Sequence, residues 1–154
     1  MTFDELEEEI AVEFEALEST VNELLSLQGD VAGREPTIRE KTAAAAFLAQ
    51  FYNGVENILK RISRYHNVAI PSTDTWHVDL FQRLCSPLKP DLPTLLDKAL
   101  SSALAPYRRF RHVAFHGYGF QLDWERMAEG VAMIQNVFSQ FKSNLSDYLE
   151  SIKD

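Results

Sequence analysis

The chain has 154 residues, of which 45% are hydrophobic and 25% charged. This is the balance of one folded globular domain over residues 1–154, and it excludes a disordered or fibrous chain. The net charge of −8 is unevenly spread: residues 1–40 hold 12 acidic and 2 basic side chains (−10), and the rest hold 11 and 13 (+2). An acidic total therefore does not exclude a polyanionic partner, because binding phosphate needs a local basic patch and not a basic whole. Cys85 is the single cysteine, so an intrachain disulfide and a thiolate metal cluster are excluded. The most apolar window, Ala43 to Leu48, is too short to span a bilayer. The start, Met1-Thr2-Phe3-Asp4-Glu5, lacks a basic or apolar leader, and a cytoplasmic location with no membrane partner is expected.

In chain order, Phe3, Leu6, Ile10, Phe14, Leu17, Val21 and Leu24 recur at steps of three and four, the period of one helix face. Thr2 and Glu5 make a capping-box pair at its start, and the helix is expected to run to about Leu27 and stop near Gly29-Asp30. Thr37 and Glu40 open a second long helix reaching about His66, with Ala44, Phe47, Leu48, Phe51, Val55, Ile58, Leu59 and Ile62 inward. Gly54 within it costs about 1 kcal/mol against alanine, which points to close packing on another helix. A short helix follows from Thr75 to about Cys85, and Pro87, Pro90 and Pro93 prevent a long one behind it. Thr94 to about Phe115 is helical by pattern, with a kink expected at Pro106 and an end at Gly117 and Gly119. The last helix runs from Asp123 to about Ile152 on a stripe that includes Met127, Val131, Ile134, Phe138, Phe141 and Leu145. Four long helices plus a short one predict an all-α, antiparallel helical bundle.

The stretch most suggestive of chemistry is Arg111-His112-Val113-Ala114-Phe115-His116-Gly117-Tyr118, an R-x4-H-x-Y pattern close to Tyr107-Arg108-Arg109-Phe110. Arginine grips phosphate through a planar fork of donors, and histidine moves protons near neutral pH. The two do not converge automatically. Five residues at about 100° each place Arg111 and His116 roughly 140° apart on a straight helix, so cooperation on one helix requires unwinding at Phe115–Gly117. Arg108, Arg111 and Phe115 share one side, while Arg109 points elsewhere.

With this motif ahead of a final long helix, the chain resembles the HEPN superfamily of small helical ribonucleases. Its nearest likeness there is to the HepT-like branch, the toxin half of HEPN–MNT toxin–antitoxin pairs. That family's R-x4-6-H core matches Arg111 and His116, and its tyrosine two residues on matches Tyr118. Arg109 also satisfies the longer spacing. Arg111 is preferred because a polar residue usually follows the arginine, and His112 fills that place where asparagine is commoner. The resemblance implies a metal-independent RNA endonuclease without a cofactor, with tRNA as the substrate class. Arg111 and His116 are then catalytic, and Arg108, Arg109 and His112 are candidates to bind RNA phosphates. It further implies a homodimer with two motifs facing one cleft. The implied partner is an MNT nucleotidyltransferase antitoxin that attaches AMP to Tyr118.

Two other readings stay open: a non-catalytic helical binding module, and a toxin neutralised by protein binding alone. Tyr52, Glu56 and Lys60, at i, i+4 and i+8 on the second helix, are either a solvated face or the lining of a groove beside Arg111. His66 reads as a helix C-terminal residue and His77, next to Trp76, as packing. His112 and His116 are the one pair at metal-ligand spacing but lack a carboxylate partner, and no metal site is expected. No phosphate loop, dinucleotide-binding glycine pattern or serine-nucleophile elbow occurs.

Overall fold

A computed structural model describes residues 1–116 and 123–153. It is an all-α bundle of four long helices and one short one: α1 (Phe3–Asp30), α2 (Ile38–Tyr65), α3 (Trp76–Arg83), α4 (Lys98–His116) and α5 (Trp124–Ile152). No strand occurs among the described residues, and no helix of theirs is long and apolar enough to cross a membrane.

Both expected capping boxes form. Thr2 Oγ1 accepts from the Glu5 N–H at 3.2 Å while Glu5 takes the Thr2 N–H at 2.7 Å, and Thr37 and Glu40 repeat the exchange at 3.2 and 2.9 Å. Each box satisfies two amide donors that the helix start leaves free. Arg34 grips Glu40 with both terminal nitrogens, at 2.6 and 2.8 Å. That contact, with the Thr37 amide behind it, holds the Glu40 carboxyl down at about 2. At the other end of α2, His66 is the C-cap, as its position suggested, and Asn67 turns left-handed at φ 57°. The Asn67 and Val68 amides return to the carbonyls of Arg64 and Ser63 at 3.0 and 2.8 Å, closing the helix in a Schellman arrangement.

The expected start of the fourth helix at Thr94 is corrected to Lys98. Asp97 Oδ1 accepts the Leu100 amide at 2.8 Å and so starts α4 four residues later than expected. Leu95 and Leu96 are buried but not helical; the Leu96 amide is spent on the Leu84 carbonyl, 3.0 Å away. The same aspartate accepts from Asn144 at 3.2 Å, tying this corner to α5. Helix α4 then continues through Pro106 to His116.

Helix α2 is the spine of the bundle and packs against every other helix. Thirteen of its residues are buried. Gly54 faces α1: a Cβ there would lie 2.6 Å from Leu17 Cδ2, which explains the glycine by close approach rather than by backbone freedom. Arg61 fastens the same pair of helices through Glu9 and, at 3.2 Å, Glu13. Phe51, one turn before Gly54, is edge-on to Tyr107 of α4 and Phe138 of α5 at centroid distances of 5.1 and 6.3 Å. Helices α4 and α5 meet at Gly130, whose carbonyl accepts from the Tyr107 hydroxyl at 2.6 Å.

Candidate functional site

On α2, Asn53 and Glu56 stand three residues apart and therefore project to one side of the helix. Facing them are the short α3, which brings Trp76 and His77, and the last turns of α4, which bring Arg108 and Arg111. Arg111 Nε donates to the Asn53 side-chain oxygen at 2.5 Å, and its Nη1 lies 3.4 Å from Nε2 of His77. His77 Nδ1 lies 2.6 Å from the Glu56 carboxylate. Arginine has no acceptor and an ionised carboxylate has no donor, so in the neutral ring Nδ1–H donates to Glu56 and Nε2 accepts from Arg111. The chain Glu56–His77–Arg111–Asn53 thus links three helices.

The surroundings hold this chain in place. Trp76 lies against the His77 ring at a centroid distance of 3.5 Å, and Lys60 Nζ sits 4.3 Å above Trp76. Arg108 lies over Phe81 at 5.0 Å, and Arg111 over Phe115 at 5.1 Å. The Glu56 side chain is only 4% exposed, against 26% for His77, so the carboxylate is sealed beneath a histidine that still meets solvent. Tyr52 is fully buried and its hydroxyl has no hydrogen-bond partner among the described residues. Burial, and then the Glu56 charge, push this phenol far above its usual range, while Arg108 and Arg111 draw it back. Tyr52 therefore stays a neutral donor at any physiological pH.

Arg111 rests on an amide and an imidazole, both uncharged acceptors, and no carboxylate contacts it among the described residues. Its charge is positioned but not neutralised, which suits it to a phosphate oxygen. The second helix's Tyr52, Glu56 and Lys60 are not a solvated face: the first two are buried, and Lys60 covers the tryptophan beside His77.

The two motif residues do not meet in one chain. The helix stays intact through His116, so the unwinding that would turn His116 toward Arg111 does not begin before residue 117. His116 is exposed and stacks on His112 at a centroid distance of 4.5 Å, while Phe115 occupies the place beneath Arg111. The two arginines compatible with the spacing part company. Arg111 joins the α2–α3 cluster; Arg109 lines an apolar groove of about 580 Å³ between α4 and α5, with Phe110, Val113 and Met133. Tyr118 lies outside the described residues, as do Gly117 and Gly119. No group of three metal-ligating side chains occurs among the described residues.

Asn53 and His77 were not singled out as site residues by sequence reasoning. His77 does pack on Trp76 as expected, but its two nitrogens make the more specific contacts. The readable signal was Glu56, a carboxylate flanked by Val55, Ile58 and Leu59, since a charge set among core positions needs a hydrogen-bonding partner.

A family model described as HepT-like protein matches residues 43–152, a span that takes in Asn53, Glu56, His77, Arg111 and His116. No curated protein and no solved structure gives a significant match.

Proposed function

Because this chain belongs to the HepT-like family, a toxin family of the HEPN superfamily, we propose that it is a metal-independent RNA endonuclease acting on tRNA. The observation that carries this reading is the Arg111 guanidinium, oriented by Asn53 and His77 with its charge uncompensated, five residues before an exposed histidine. Arg111 holds the scissile phosphate and stabilises the charge that grows on its oxygens. His116 exchanges a proton with the ribose 2′-hydroxyl or the leaving 5′-oxygen. Attack by the 2′-oxygen on phosphorus expels the 5′-oxygen, leaving a 2′,3′-cyclic phosphate and a 5′-hydroxyl. Arg108, Arg109 and His112 add donors for neighbouring phosphates.

The divergence of Arg111 and His116 around α4 supports a homodimer, in which two motif segments face one cleft across a two-fold axis. The exposed apolar side chains of Val113, Phe115 and Met133, near the motif, are the kind of surface such a contact covers. Incubation of the purified protein with tRNA in excess chelator tests the reaction. New ends carrying 2′,3′-cyclic phosphate support it; intact tRNA, or cleavage only when a divalent ion is added, overturns it in favour of a binding module or a metal-dependent enzyme.

The same reading makes Tyr118 the acceptor of AMP from an MNT nucleotidyltransferase antitoxin. One or more adenylates beside the motif add bulk and negative charge where an RNA phosphate has to enter. Tyr118→Phe is expected to keep most of its cleavage activity and to escape silencing by the antitoxin and ATP. Peptide mass spectrometry locates the modification. AMP on Tyr107 or Tyr148, or normal silencing of Tyr118→Phe, sinks the assignment, and silencing with no mass shift points to neutralisation by binding alone.

A further inference from the structure

We infer that His77 is a second proton-transfer group of this site, the general base for the 2′-hydroxyl of an RNA whose scissile phosphate sits on Arg111. The inference rests on the ribonuclease reading above and goes beyond the R-x4-H motif, to which His77 does not belong.

Three observations carry it. Glu56 is sealed from solvent and accepts a hydrogen bond from Nδ1–H at 2.6 Å, so the neutral imidazole is held in one tautomer with its Nε2 lone pair facing Arg111. A carboxylate behind the ring also stabilises the imidazolium that forms when Nε2 takes a proton. Second, the Nε2···Nη1 contact is long, 3.4 Å, against 2.5 Å for Arg111 on Asn53. A phosphate oxygen can replace His77 on Nη1 at little cost while Asn53 keeps the guanidinium in position. The displaced lone pair then lies beside the phosphate just bound, where the adjoining ribose is. Third, Trp76 stacks on the ring and Lys60 covers Trp76, so the imidazole stays in place when its contact with Arg111 opens.

The step balances. The 2′-hydroxyl gives its proton to His77 Nε2 as its oxygen bonds to phosphorus. The bond from phosphorus to the 5′-oxygen breaks, and that oxygen takes a proton from the His116 imidazolium that the second copy brings across the two-fold axis. His77 then releases a proton to water and His116 regains one. One base and one acid on separate helices resolve the shortage that a single motif histidine leaves.

A leaving-group substitution separates this role from a structural one. A short RNA that the wild type cuts is prepared twice, with oxygen or with sulfur at the bridging 5′ position. Thiols ionise near pH ~8.5, so a sulfur leaving group departs without an acid. His77→Ala is expected to cleave both RNAs roughly 100-fold more slowly than wild type, whereas His116→Ala is slow on the oxygen RNA and recovers on the sulfur RNA. Added imidazole partly restores His77→Ala. Should that variant lose its helical circular dichroism, His77→Gln, which still spans Glu56 and Arg111, is read in the same way. Wild-type rates in a folded His77 variant overturn the inference alone, as does its recovery on the sulfur RNA, which marks an acid and not a base. A wild type that cuts no RNA in chelator overturns the ribonuclease reading and this inference with it.

Discussion

Alanine in place of Arg111 is expected to lower RNA cleavage by about 10²–10³-fold, the loss that follows removal of one donor to a developing oxyanion. His116→Ala is expected to cost about 10²–10⁴-fold through loss of proton transfer. Neither change should disturb the bundle. His116 is exposed, and Arg111 is half-buried on uncharged partners that water can replace. Arg111→Lys is expected to recover little, because an ammonium cannot bind Asn53 and present two parallel donors to a phosphate at once. The measurement is initial cleavage rate in chelator, with circular dichroism of each variant beside it. Wild-type rates in His116→Ala leave the motif without a function in this chain. A similar result for Arg111→Ala removes the electrostatic argument altogether.

The largest expected loss of stability is at Phe51. Its ring is fully buried and set edge-on to Tyr107 and Phe138, so it joins α2 to α4 and α5 together. Phe51→Ala is expected to cost about 3–5 kcal/mol, from lost transfer energy and from the cavity that rigid helices cannot close. Against a typical total of about 5–15 kcal/mol, that is roughly a fifth of the stability at the least. Urea unfolding followed by circular dichroism reads the change as a lower midpoint. A shift worth less than about 1 kcal/mol means that neighbouring side chains refill the space. Because Asn53 is two residues along the same helix, cleavage should fall well below the urea midpoint of the wild type.

The helices were readable because their ends announce themselves chemically. Thr2 with Glu5 and Thr37 with Glu40 do in the structure what their spacing says. The start of α4 was misplaced because Leu95 and Leu96 continue a helical pattern in sequence while Asp97, the residue that caps the helix, comes after them. The site was half readable. A local pattern can flag Arg111, but not that its guanidinium spans to Asn53, 58 positions earlier, or to His77, 34 positions earlier. Those contacts depend on how α3 is laid across α2 by the irregular connection of residues 66–75, and periodicity carries no information about such a segment. Tyr52, Glu56 and Lys60 were ambiguous for a related reason. Polar residues at helical spacing look the same whether water or a third helix covers them.

The segregation of charge in this fold also shapes how a polyanion meets it. Helix α1 falls within the segment of net −10, and α2 packs against both α1 and the helix that carries the arginines. From far away an approaching RNA meets a molecule of charge −8 and is repelled. Closer in, the field exerts a torque that swings the arginine end toward it. Salt acts on these two ranges unequally, since the screening length is about 10 Å at 0.1 M and leaves short-range attraction largely intact. Association measured by stopped flow should therefore quicken as salt is first added to a dilute buffer, and slow only when the contacts with Arg108 and Arg111 are themselves screened. A protein of simple basic charge would slow from the start.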